Sequence, residues 1–187
     1  MKIIFVTKNK HKLLEVTNVL NEYGIDVEQV SLDKPEIQAN NLRDVVRYSL
    51  ISLYYIIKKP LVVEDAGLFI DSLKGFPGVY SNYVFKTIGF HGILKLLENV
   101  SNRYAKFMSI VGYIDEKDII FFEGIVEGTI AMKPKGSGGF GFDPIFIPKG
   151  ETKTFAEMSV SEKNKFSHRA KAFRKLGEWL IQDKFKR

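Results

Sequence analysis

The first 63 residues alternate between two hydrophobic rhythms, and this alternation restrains the fold more than any other feature. Lys2 to Val6 is a short apolar run with the character of a buried strand. Leu13, Val16, Leu20 and Tyr23 then recur at the spacing of one helix face, closed by Gly24. Residues 25–32 read as a second strand, followed by the turn formers Asp33 and Pro35. Leu42, Val45, Val46, Ser49, Leu50, Leu53 and Ile57 form a second helical stripe, ended by Lys58-Lys59-Pro60, and Leu61-Val62-Val63 is a third strand, apolar on both faces. Parallel neighbours need a connection long enough to hold a helix, so strand, helix, strand, helix, strand implies an α/β layer with helices on the sheet faces.

The middle of the chain has a different texture. Residues 73–82 read as a Gly/Pro loop and Gly89 to Glu98 as a short helix. The runs 104–114 and 119–126 flank Asp115-Glu116-Lys117-Asp118, the signature of a hairpin and hence of antiparallel strands. A strand at Ile145 to Ile147 and a polar loop precede a final helix from about Ser167, with Phe173, Leu176, Leu180 and Lys184 on one stripe. The fold expected is α/β with a mixed central sheet and flanking helices. No repeat or linker interrupts it, so residues 1–187 are expected to be one domain with two lobes around a cleft.

Composition excludes whole classes of chemistry. The chain has no cysteine, which removes disulfides, zinc–thiolate sites, iron–sulfur clusters and a catalytic thiol. The apolar run at Ile3 to Val6 is too short for a signal peptide, and no stretch nears the ~18 apolar residues of a membrane span, so a cytoplasmic protein without a membrane partner is expected. The net charge of +6 invites a nucleic-acid reading until it is located. Residues 163–187 hold nine Lys and Arg against two Asp and Glu, a net of +7, which leaves 19 against 20 in the first 162 residues, a net of −1. The basic excess is a property of one terminal segment.

Four stretches carry candidate chemistry. Thr7-Lys8-Asn9-Lys10-His11-Lys12 lies where the first strand turns into the first helix; its hydroxyl, amide and lysines suit a phosphate at a helix N-terminus, or simply cap the helix. Glu64-Asp65 ends the third strand, where open α/β sheets bind ligands, and Asp65 next to the loop is the better placed of the two. Glu36 is a plausible second oxygen ligand for a hard cation such as Mg²⁺, which takes one or two carboxylates plus substrate phosphate. Gly136-Ser137-Gly138-Gly139-Phe140-Gly141 matches G-x-G-x-x-G, but Phe142-Asp143-Pro144 leads into a strand and no helix, so it is not a dinucleotide fingerprint. Phe140 and Phe142 could instead stack on a base beside Asp143, or pack into the core. In Ser161 to Arg169, Ser167 can cap the last helix, while His168 and Arg169 in its first turn oppose the helix dipole and hint at a nearby anion.

Taken in order, these blocks resemble the inosine triphosphate pyrophosphatase, or Ham1-like, family. The resemblance covers Thr7-x-Asn9-x-x-Lys12, Glu36-Ile37-Gln38, Val63 to Leu68, Gly75 to Ser81, Phe140 to Phe146, Thr154 to Met158, and Glu162-Lys163-Asn164-x-x-Ser167-His168-Arg169. It implies a nucleotide-binding cleft, a homodimer, and hydrolysis of ITP, dITP or XTP to the monophosphate and pyrophosphate with Mg²⁺. It further implies that Asp65 binds Mg²⁺ or acts as general base, with Glu36 assisting the metal. Thr7, Asn9, Lys12 and Lys163 would hold phosphates, Phe140 and Phe142 would stack on the purine, and Asp143, Ser167, His168 and Arg169 would read its edge. One departure stands out: the family's lysine on the second helix is replaced here by Ser49, with Arg47 two residues earlier. The alternatives are a related pyrophosphatase acting on other modified nucleotides, and a nucleic-acid-binding module using the basic tail; the tail carries no nucleic-acid motif, so no nucleic-acid partner is expected.

Overall fold

The computed structural model describes residues 1–184 of the chain. The opening follows the expected alternation: β1 (Lys2–Val6), α1 (Lys10–Asn21), β2 (Asp26–Val30), α2 (Leu42–Ile57) and β3 (Leu61–Ile70). Then come α3 (Ser81–Thr87), α4 (Gly89–Leu96), β4 (Tyr104–Ile114), β5 (Ile119–Ile130), β6 (Phe146–Pro148), α5 (Val160–Asn164) and α6 (His168–Lys184). One six-stranded sheet has the order β2-β1-β3-β4-β5-β6. β1 pairs in parallel with β2 and β3, while β6 pairs antiparallel with β5, so the sheet is mixed. No helix of the described residues is long and apolar enough to cross a membrane.

Several boundaries differ from expectation, among them the end of β5, which runs to Ile130 where 126 was expected. β3 continues through Glu64-Asp65 to Ile70, so this carboxylate pair sits mid-strand and not at a strand end. Ala66-Gly67 looks like a loop start, yet Leu68 and Ile70 are fully buried and carry the strand onward. Gly67 serves close approach here, since a Cβ would collide with the Gly78 carbonyl. The short helix α3 begins at the end of the stretch that reads as a Gly/Pro loop and continues through residues with no reading of their own, and α5 occupies a stretch that reads as a polar loop. α5 owes its existence to a capping box: Ser159 accepts from the Glu162 N–H at 3.2 Å, and Glu162 accepts from the Ser159 N–H at 2.8 Å. The side chain of Lys184, assigned above to the apolar stripe of α6, lies outside the described residues.

The chain divides into two compact units that interleave along the sequence. The first comprises Met1–Asp65, Ser109–Gly124 and the segment from His168; the second comprises Ala66–Met108 and Ile125–Ser167. In the first unit, Phe5, Val16, Leu20 and Ile25 pack with Val111, Phe173 and Leu176, and Leu50, Leu53, Leu61 and Val63 form a second cluster. The second unit is rich in rings, with Phe107, Phe142, Phe146 and Phe155 packed around Leu68, Ile70 and Val126. Phe107 meets Phe146 edge-on with centroids 4.8 Å apart, the geometry that aromatic quadrupoles favour.

Candidate functional site

In the first unit, the turn from β1 into α1 commits its side chains to capping. Asn9 accepts from the N–H groups of His11 at 2.9 Å and Lys12 at 3.1 Å, and the Thr7 hydroxyl accepts from the Asn9 N–H at 3.1 Å. That cap aims Lys12, in the first turn, at β3. Its Nζ lies 2.8 Å from Glu64 Oε2 and 3.9 Å from Asp65 Oδ1. Beyond this contact with Lys12 the buried Oε2 has no hydrogen-bond partner among the described residues.

Glu64 is fully buried and joins three other elements. Its Oε1 accepts from the Ser109 hydroxyl on β4 at 2.7 Å and from Arg169 Nε on α6 at 3.1 Å. Arg169 Nη1 in turn donates to Glu15 Oε2 on α1 at 2.5 Å. Burial alone would push the Glu64 carboxyl up, but the Arg169 guanidinium, the Lys12 ammonium and the Ser109 hydroxyl reverse this and hold it well below the usual carboxylate range. Arg169 is only 2% exposed, so it does not present a free fork to a base edge. The anion hinted at by a cation in the first turn of α6 is supplied by the chain itself, as Glu15 and Glu64.

A second carboxylate group adjoins this network. Lys34, on the segment after β2, places Nζ 3.2 Å from Asp65 Oδ1, 3.1 Å from Glu36 Oε1 and 3.4 Å from the Glu64 carbonyl oxygen. Burial works against its charge, yet Asp65, Glu36 and Glu64 together raise its pKa above the usual lysine value. Ser49, buried on α2 where the resemblance leads one to expect a lysine, donates its hydroxyl to the carbonyls of Pro35 at 2.6 Å and Val45 at 3.0 Å, tying the Lys34-Pro35-Glu36 segment to the helix. Arg47 points elsewhere, its guanidinium 5.4 Å from the Phe121 ring centroid.

The second unit builds a different device. Asp143 and Lys163 are both 3% exposed, and Lys163 Nζ donates to Asp143 Oδ2 at 2.6 Å. The same oxygen accepts from the Phe140 N–H at 3.0 Å. Gly139, at φ +68°, makes this possible, because a Cβ there would strike the Asp143 carboxylate. The ammonium also lies 5.2 Å from the Phe140 ring centroid and 5.1 Å from that of Phe155, within cation–π range. Lys163 is therefore enclosed by a carboxylate and two rings, and is not presented as a bare phosphate ligand. The ring of Phe142 is 3% exposed in the core, edge-on to Phe85 at 5.6 Å, so only the half-buried Phe140 offers a ring to a base. Ser167 is buried, its N–H bonded to the Lys163 carbonyl at 3.0 Å, and His168 is buried at the start of α6.

Comparison with known proteins places the chain in a family. The model of the Ham1 family matches residues 3–179. The chain belongs to the Ham1 family. It is 53% identical to a dITP/XTP pyrophosphatase of Hyperthermus butylicus over 96% of this chain and 95% of that protein, and 49% identical to one of Pyrococcus horikoshii over 96% and 97%. Among solved structures it is similar to a HAM1 protein from Coxiella burnetii (TM-score 0.84, 27% identity, 97% and 99% covered) and to the Staphylococcus aureus Ham1 protein (TM-score 0.83, 25% identity, 98% and 100% covered).

In this Ham1-family chain, four residues that the sequence did not single out belong to the two clusters: Glu15, Lys34, Ser109 and Phe155. Glu15 sits one turn beyond Lys12, an i, i+3 spacing that puts both on one helix face, and this was the available signal. Among the described residues no group of three or more His, Cys, Asp or Glu side chains forms a ready-made metal cage. Asp65 and Glu36 each bring one hard carboxylate oxygen to the same positive centre, the Lys34 ammonium, and are the residues that could hold a divalent ion. Several cations of the basic tail have partners within the chain: beyond Lys163 and Arg169, Arg174 forks onto Glu22 and Lys175 reaches the Glu123 carbonyl, while Lys186 lies outside the described residues.

Proposed function

We propose that this chain is a nucleoside triphosphate pyrophosphohydrolase that converts ITP, dITP and XTP to the monophosphate and pyrophosphate with Mg²⁺. The observation that carries the reading is the convergence of Asp65 and Glu36 on one cation beside Lys12, the inventory that attack at an α-phosphorus requires. The names of relatives about half identical over nearly the whole chain support it. Mg²⁺ held by Asp65 and Glu36 would supply charge neutralisation at the triphosphate. Asp65 accepts a proton from the attacking water, and Lys12 offsets charge spreading onto the leaving pyrophosphate. The Thr7/Asn9 turn fixes the start of α1 and thereby aims Lys12. Arg169 acts at one remove, fixing Glu64 and through it Lys12.

Recognition of the base falls to the second unit. Phe140 offers a ring to stack on, while Asp143 and Lys163, buried against each other without a ligand, would serve as acceptor and donor only once the base opens their contact. Hypoxanthine and xanthine present a keto acceptor at C6 and an N1–H donor, which this pair complements, whereas adenine presents the opposite pattern. A site built to hydrogen-bond one edge rejects the other, because its buried polar groups are left unpaired. The same reading makes the enzyme a cytoplasmic homodimer, checked by its mass in solution. The direct test is release of pyrophosphate from ITP, dITP, XTP, GTP and ATP with Mg²⁺ or EDTA. Faster cleavage of ITP, dITP and XTP than of ATP, lost in EDTA, is expected. Equal rates on ATP and ITP, or orthophosphate as the first product, would overturn the assignment.

A further inference from the structure

The carboxylate pair assigned to the metal already holds a cation, and that cation belongs to the chain. An ammonium has three N–H donors and no acceptor, and Lys34 Nζ has three oxygens around it: Glu36 Oε1 at 3.1 Å, Asp65 Oδ1 at 3.2 Å and the Glu64 carbonyl at 3.4 Å. This is half the oxygen shell of a hard cation, filled by a side chain. Its segment is held in place, since the buried Ser49 hydroxyl grips the Pro35 carbonyl at 2.6 Å.

An ammonium so placed has two consequences of opposite sign. It competes with a divalent ion for the same two carboxylates, and it brings positive charge to where a metal-bound polyphosphate would arrive. Lysine suits such a double role, being a compact point charge on a flexible four-carbon stem. We infer that Lys34 is the resident cation of the Asp65 and Glu36 carboxylates: it keeps them converged while no divalent ion is bound, and it yields them and takes phosphate oxygens when the metal-bound triphosphate enters. Lys34 thereby becomes a further phosphate ligand of the reaction, standing on a loop after β2. The inference rests on Asp65 and Glu36 being the metal carboxylates.

The two consequences can be measured apart. Lys34→Met removes the charge and keeps the stem. Titrated with Mn²⁺ alone, followed by calorimetry or by the spin-resonance signal of free Mn²⁺, it should bind the ion about tenfold more tightly than wild type, since a competing, partly buried ion pair is gone. With ITP and saturating Mg²⁺, its KM should rise about tenfold for loss of one charged phosphate contact. Lys34→Arg, which keeps the charge, should stay near wild type in both, and melting curves of the two variants confirm that they are folded. Opposite movement of the two constants in Lys34→Met supports the inference. Unchanged or weaker Mn²⁺ binding overturns the competition, and an unchanged KM overturns the phosphate role. A wild-type chain that binds no Mn²⁺ and cleaves no ITP overturns the function proposed above and this inference with it, whereas an active wild type beside an indistinguishable Lys34→Met overturns the inference alone.

Discussion

The two units use charge in opposite ways. In the first, three cations (Lys12, Lys34 and Arg169) are shared among four carboxylates (Glu15, Glu36, Glu64 and Asp65), so that several of them serve two partners. In the second, one lysine meets one aspartate between two rings, both side chains buried. A shared lattice has more than one way to distribute its partners, whereas an enclosed pair has one. The difference is what the proposed function asks for: charges that a divalent ion and a polyphosphate could re-partition in the first unit, and a fixed setting for the Phe140 ring in the second.

The comparison breaks first at Asp65. Asp65→Asn keeps the size of the side chain and removes its basicity, so kcat should fall about 10²–10⁴-fold with the melting temperature nearly unchanged. Activity that persists would remove Asp65 from the chemistry. Next comes Arg169→Met, which strands Glu15 and Glu64 without their shared partner; a loss of about 3–5 kcal/mol of unfolding free energy is expected. A loss under ~1 kcal/mol, the size seen for exposed pairs, would show that the network is not a buried one. The same network has a pH signature. The Glu64 carboxyl is held low by Arg169 and Lys12 against the opposing effect of burial, so its contribution is full above the unfolded glutamate value of ~4.3 and is lost as pH falls below it. Wild type should therefore lose more stability between pH 5 and pH 3 than Glu64→Gln; parallel losses in urea titrations would contradict this.

Phe140 tests the second unit. Stacking on an aromatic ring is worth about 1–3 kcal/mol per base, so Phe140→Ala should raise KM for ITP roughly tenfold or more while kcat and stability change little. Phe142→Ala should do the reverse, costing about 3–5 kcal/mol of stability as a core ring. If Phe142→Ala moved KM and spared stability, the division between a stacking ring and a core ring would be wrong.

What was legible in the sequence follows from which forces are local. The α2 stripe Leu42, Val45, Val46, Ser49, Leu50 and Leu53 is buried as its period requires, and β4 spans Tyr104–Ile114 as its apolar run implies. Periodicity records burial residue by residue, so it survives in one dimension. The extension of β3 was hidden because Gly67 reads as a loop residue until Gly78 is seen against it. Lys34 between Asp33 and Pro35 has the look of a solvated turn, and its partners Asp65 and Glu64 lie about thirty residues away. Arg169 meets Glu64 and Glu15 across 105 and 154 residues, distances over which sequence pattern carries no geometry. The chemistry of the site was thus readable in residue types, while its pairing was not.

The smallest expected effect isolates what burial contributes. Arg174 follows Arg169 by five residues on α6 and grips Glu22, just past the end of α1, donating from Nε to Glu22 Oε2 at 3.1 Å and from Nη2 to Oε1 at 3.0 Å. Its geometry is if anything the better one, a two-point fork. Yet the pair is 26% and 48% exposed, so water competes for both partners and salt screens them. Glu22→Gln should cost under ~1 kcal/mol, less still at high salt, against the several kcal/mol expected at Arg169. Both are arginines of α6 bonded to glutamate, so a comparable loss at both would mean that exclusion of water does not set the strength of the Arg169 network.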